Sequence, residues 1–169
     1  MKKIFISGYP KTGKTTIIKR LIEEFGKEIF CGFWVEELRS NKQRVGFKII
    51  STWDDEDILA HKEYRTPYRV GKYFVRKEVI DRFSKKYLEF LNNNENKIYI
   101  LDEIGRMEFY SDIFKSLVST LLKSDVHLIA IVHRKYVYMV PYYYWINNNW
   151  WDIYNKVRKF VKAFYLKNA

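Results

Sequence analysis

The sequence predicts an α/β fold in three layers: a mostly parallel sheet with helices on both faces and an antiparallel hairpin or edge. Three observations predict it. Short apolar runs alternate with segments of helical periodicity along the chain. A glycine-bearing loop, Gly8-Tyr9-Pro10-Lys11-Thr12-Gly13-Lys14-Thr15, joins the first apolar run to the first helical segment. A later apolar run, Ile98-Tyr99-Ile100-Leu101, ends in the acids Asp102-Glu103.

Each element has its own signal. Lys3-Ile4-Phe5-Ile6 predicts the first strand. The helix after the loop carries Ile17, Ile18, Leu21 and Ile22 at helical spacing and stops near Phe25-Gly26, where glycine suits a C-cap. Residues 29–35 predict a strand, and 44–50 alternate like a second one across the polar turn Ser40-Asn41-Lys42-Gln43, so the two can pair as a hairpin. Residues 54–69 are polar and carry Pro67, which predicts loop; 70–75 add a short strand. Residues 77–91 predict a helix whose face holds Val79, Ile80, Phe83, Tyr87, Leu88 and Leu91. After the 97–101 strand, 109–122 predict a helix, 126–132 a buried strand, 135–145 a short helix and an edge strand, and 150–166 a closing amphipathic helix.

Bulk composition bounds the function. A length of 169 residues fits one domain, taken here as 1–169, with 47% hydrophobic residues to build a core. The net charge of +11 favours anionic partners, nucleotides first; nucleic acid is a possible partner but not the favoured one, because lysines on one helix usually mark a solvated face. The single cysteine, Cys31, excludes an intrachain disulfide and a Cys-rich metal site, and fits a buried strand position. The apolar run after Lys2-Lys3 is too short for a signal peptide and no run is long enough to span a membrane, so no membrane partner and a cytoplasmic location are expected.

The loop between the first strand and helix fits the phosphate-binding pattern of Gly, four free positions, Gly, Lys and Ser or Thr, in the strand–loop–helix order that the pattern requires. Glycines at positions 8 and 13 let the backbone wrap closely so that N–H groups point at phosphate oxygens, and the helix N-terminus adds positive potential there. Lys14 is the residue to reach the β- and γ-phosphates, and the Thr15 hydroxyl is a ligand for Mg²⁺, the expected cofactor. The 98–103 segment fits a Walker B strand. Asp102 would hold Mg²⁺ through its water shell, and Glu103 would orient or deprotonate an attacking water. Nucleoside triphosphate binding is thus expected from residues 8–15 and from Asp102 and Glu103, with Lys14 and Glu103 as the catalytic candidates.

Four blocks then resemble the THEP-type small P-loop nucleoside-triphosphatases. They are residues 8–16, residues 32–39 followed by Arg44-Val45-Gly46-Phe47, residues 69–75, and Leu101-Asp102-Glu103-Ile104-Gly105-Arg106-Met107-Glu108. The resemblance implies a RecA-like core, Mg²⁺-dependent hydrolysis of ATP, GTP and other triphosphates to diphosphate and phosphate, and nucleotide contacts from the first block, Thr16 included, and from the Walker B segment with Leu101, Asp102, Glu103, Ile104 and Gly105. It thins after Val132. Where the family has an Asn-Arg pair before its last helix, this chain has Asn147-Asn148-Asn149-Trp150-Trp151. Trp150 can be read as a base-stacking residue or as core.

Further candidates are Glu36, Glu37 and Arg39 as γ-phosphate or water contacts or as an exposed salt-bridged hairpin, Arg106 and Arg134 as arginine fingers or surface residues, and His133 after a strand end. His61, His127 and His133 show no metal-ligand spacing. Two other functions compete with hydrolysis: a nucleoside, nucleotide or RNA-end kinase, and a nucleotide-dependent RNA-binding module. Kinase lids often carry several arginines, whereas 135–149 is aromatic and has none.

Overall fold

The computed structural model describes residues 1–168. The elements run β1(Lys3–Gly8), α1(Lys14–Phe25), β2(Phe30–Ser40), β3(Gln43–Ser51), β4(Glu56–His61), β5(Arg69–Val70), β6(Tyr73–Val75), α2(Lys77–Asn92), β7(Ile98–Ile104), α3(Asp112–Lys123), β8(His127–Val132), β9(Tyr144–Ile146) and α4(Trp150–Lys167), with short 3₁₀ turns at Lys27–Ile29, Glu108–Tyr110 and Arg134–Met139. The nine strands form one sheet in the order β5-β6-β4-β3-β2-β7-β8-β1-β9. From β2 to β9 neighbours pair in parallel. From β2 to β5 they pair antiparallel.

Strand alternation makes the three layers. In β1, Ile4 and Ile6 face α1 and α4, while Phe5 faces α2 and α3; in β7, Ile98 and Ile100 take the first side, Tyr99 and Leu101 the second. Phe33 is fully buried on the second side, with Phe83 and Tyr87 at ring distances of 6.1 and 5.8 Å. Burying a side chain of this size contributes about 1.5–3 kcal/mol. Cys31 lies buried in β2 as expected, its thiol pushed up to about 12 by burial.

The 54–69 stretch departs from the loop expected there. Residues Glu56–His61 form β4, which extends the hairpin into a four-stranded antiparallel wing with β3, β6 and β5. Leu59 and Ala60 are fully buried against the α2 side of the core. Polar Asp57 is accommodated because the Arg76 guanidinium donates to it at 2.8 Å. Among the described residues, no helix is long and apolar enough to cross a membrane.

Candidate active site

The parallel strands place their carboxyl ends on one rim of the sheet, where ligands bind in open α/β folds. β1 runs into the phosphate loop there, and β7 delivers Asp102 and Glu103, with β8 between them. The loop turns through left-handed backbone at Lys11 (φ 64°) and Gly13 (φ 88°). Glycine is required at 13 for a second reason: a Cβ would lie 2.8 Å from the indole nitrogen of Trp150.

A cavity of about 430 Å³ opens along the loop. Pro10 to Thr16 form one wall, Asp102 and Glu103 lie at its end, and Val35, Glu37 and Phe47 of the hairpin form the opposite side. Gly8 and Tyr9 contribute backbone: the Lys14 ammonium donates to their carbonyls at 2.9 and 2.8 Å. The Thr12 hydroxyl donates to the Tyr9 carbonyl at 2.8 Å and braces the loop from within. The Thr15 hydroxyl donates to Asp102 Oδ2 at 2.7 Å, joining two motifs 87 residues apart. Leu101 and Ile104 send their side chains into the core, and neither lines the cavity.

Electrostatics in the site are set by burial. Asp102 is 2% exposed; burial pushes its carboxyl up to about 6, against the Thr15 hydroxyl, the Val35 N–H and the Lys14 charge. Burial and the neighbouring Asp102 charge push Glu103 up to about 7, with Lys14 opposing. Burial lowers Lys14, and the two carboxylates partly restore it.

Glu108, whose one sequence signal is its place in the fourth block, joins this cluster. It is 5% exposed, and no other described residue donates a hydrogen bond to its carboxyl. A Cβ on Gly105 would touch both Glu103 Oε1 (3.1 Å) and Glu108 Oε2 (3.2 Å), so glycine at 105 leaves room for two carboxyls side by side. Burial first, then the Glu103 charge, raise Glu108 well above the ordinary carboxylate range. A carboxyl raised in the folded state takes up its proton on folding, so the stability it leaves intact at low pH is lost as pH rises. Glu108→Gln, melted without metal, is therefore expected to exceed the wild-type melting temperature by several degrees at pH 8, at about 2–4 °C per kcal/mol for a chain of this size. The gain should vanish towards pH 4.5; equal melting temperatures at pH 8 would contradict it.

The remaining candidates separate. Glu36 pairs with Lys19 at 2.5 Å and Lys48 at 3.9 Å, and Glu37 with Arg39 and Arg44, as a salt-bridged hairpin would. Of these only Glu37 also lines the cavity. Arg134 is exposed, with its guanidinium 5.3 Å from the Tyr9 ring centroid. Arg106 is exposed. His133 Nδ1 accepts from the Lys135 N–H at 3.1 Å, and burial with its cationic neighbours lowers its basicity. Trp150 donates from Nε1 to the Gly13 carbonyl at 2.9 Å and stacks on Tyr154 at 5.1 Å with rings 5° apart. Its indole is thus a brace beneath the phosphate loop.

A family model described as NTPase matches residues 3–156. The nucleoside-triphosphatase THEP1 of Thermotoga maritima is 39% identical over 135 residues, covering 78% of this chain and 74% of that protein. The THEP1 of Methanocaldococcus jannaschii is 36% identical over 138 residues, covering 80% of each chain. The crystal structure of THEP1 from Aquifex aeolicus superposes with a TM-score of 0.77 at 29% identity, covering 92% of this chain and 96% of that one. The solution structure of a human cancer-related nucleoside triphosphatase superposes with a TM-score of 0.74 at 21% identity, covering 96% and 98%, a likeness of fold alone. With its phosphate loop, its acid-tipped strand and these relatives, the chain belongs to the THEP1-type family of P-loop nucleoside-triphosphatases.

Proposed function

We propose that this chain hydrolyses nucleoside triphosphates to the diphosphate and phosphate with the help of Mg²⁺. The observation that carries the reading is the 2.7 Å bond from the Thr15 hydroxyl to Asp102. It puts two hard oxygen donors side by side next to the phosphate loop, as Mg²⁺ requires. Among the described residues, no cluster of three or more His, Cys, Asp and Glu could hold a metal alone. That suits a cation whose other ligands are phosphate oxygens and water. When bound, Mg²⁺ would neutralise charge between the β- and γ-phosphates.

The residues then divide the work. The N–H groups of the loop and the first turn of α1 cradle the phosphates. Lys14 leaves the Gly8 and Tyr9 carbonyls for the β/γ oxygens and offsets charge as the terminal phosphoryl group departs. Glu103, one residue beyond Asp102, accepts the proton of the attacking water. The resulting reaction consumes water and triphosphate and yields diphosphate, phosphate and a proton.

Hydrolysis is favoured over phosphoryl transfer by the course of residues 134–149. They form a 3₁₀ turn and then β9, which pairs with β1 at the sheet edge, and none of them lines the phosphate cavity. The test is phosphate release from ATP, GTP, CTP and UTP with Mg²⁺ and no acceptor. Release is expected to be steady with each and to stop when EDTA removes the metal. Tight nucleotide binding without release would overturn hydrolysis in favour of transfer to an acceptor hydroxyl.

A further inference from the structure

The structure points to a nucleobase platform on Trp151, beside the phosphate loop, and we propose that the base of the triphosphate stacks there; this rests on the nucleotide reading above. The carboxylates that would meet the γ-phosphate sit on β7, two strands to one side of β1. The strand on the other side of β1 is β9, whose Ile146 lies in register with Gly8. A triphosphate with its γ end at Asp102 and Glu103 therefore points its nucleoside towards the residues that follow β9.

Those residues form a cavity of about 480 Å³, lined by Asn147, Asn148, Asn149, Trp150, Trp151 and Asp152. Trp150 is occupied by Gly13 and Tyr154. Trp151 is 58% exposed, unusual for so large an apolar ring. It is nonetheless fixed in place. Trp150 and Tyr154 meet it edge to face at 4.9 and 6.0 Å, and the Arg20 guanidinium lies 5.0 Å from its ring centroid. Arg20 is one helical turn after Thr16, the α1 residue furthest along the helix that lines the phosphate cavity, so the same face of α1 leads from phosphate to indole. Trp151 also lines a second cavity, shared with Arg20 and Tyr154, so the indole stands between two clefts.

The polar fittings match a base edge. Asn149 is used internally, accepting from the Asn147 N–H and donating to the Trp145 carbonyl. The side-chain amides of Asn147 and Asn148 are exposed and make no hydrogen bond among the described residues. An amide both donates and accepts, so it can meet any of the common bases. An aromatic platform with amides at its rim predicts broad base tolerance, with purines bound more tightly than pyrimidines through their larger stacking face.

The test is calorimetric titration of the full chain with two Mg²⁺-loaded ligands, the β,γ-imido analogue of ATP and inorganic diphosphate, which has no base. Trp151→Ala is expected to weaken the ATP analogue about tenfold, as loss of one base–aromatic stack does. It should shift diphosphate less than twofold, and Trp151→Phe should recover most of the loss. If Trp151→Ala moves both ligands equally, or neither, the platform is overturned and the exposed indole belongs to another surface. If the wild type binds diphosphate but holds the nucleotide no more tightly, the platform also fails while the phosphate site stands. If the wild type binds neither, the triphosphate reading itself has failed.

Discussion

Replacing Glu103 with Gln should leave nucleotide binding intact and slow phosphate release by about 10²–10⁴-fold, the range that a positioned general base contributes. The substitution keeps the shape of the side chain at the end of β7 and removes the group that accepts the proton of water. It also removes a negative charge beside Asp102, whose mutual repulsion helps lift Glu103 to about 7. Because only the ionised carboxylate is a base, the wild-type rate should rise with pH through that region. Mg²⁺ adds positive charge nearby and would move this limb to lower pH. The residual rate of Glu103→Gln should lack the limb. Single-turnover phosphate release across pH 5–9 measures both, and a variant within threefold of wild type would remove Glu103 from the chemistry.

The second large effect concerns Gly32, far from the phosphates in sequence. Gly32 pairs with Ile100 across β2 and β7, and a Cβ there would lie 1.9 Å from the Ile100 carbonyl oxygen and 2.7 Å from its Cγ1. The obstacle is backbone in the middle of the sheet, with no flexible end to give way. Gly32→Ala should cost about 3 kcal/mol or more, above the usual range for overpacking. At about 2–4 °C per kcal/mol, the melting temperature should fall by roughly 10 °C. β7 also carries Asp102, so the displaced strand should loosen the contact with Thr15 and weaken Mg²⁺-dependent nucleotide binding. A melting temperature within 2 °C of wild type would mean that the strands accommodate the methyl group.

The core of the site was legible in the sequence because its signals are local. The phosphate loop needs only its own eight residues and their flanks. The β7 strand announces itself by four apolar residues ending in two acids. What local signals could not supply was the outcome of distant packing. β4 reads as loop because Asp57 and His61 are polar and turn residues flank it; it becomes a strand because α2 covers Leu59 and Ala60 and Arg76 answers Asp57. Glu108 looks like any turn acid, and its burial follows from the 3₁₀ turn at Glu108–Tyr110 packing beside β7. The role of Trp150 depends on a partner 137 residues earlier, through a β9–β1 pairing with no signature in either segment.

The pairing of β1 also fixes an order of events during synthesis. Both neighbours of β1 lie late in the sequence: Lys3 pairs with Leu128, and Gly8 with Ile146. As the chain leaves the ribosome, the hairpin of β2 and β3 can close at once, whereas β1 waits until more than a hundred further residues have been made. Until then Ile4, Phe5 and Ile6 lack the strand neighbours that help to bury them in the folded protein, the kind of exposure on which chaperones act. The phosphate loop that follows β1 therefore gains the sheet neighbours that frame it only after β8 and β9 have been made.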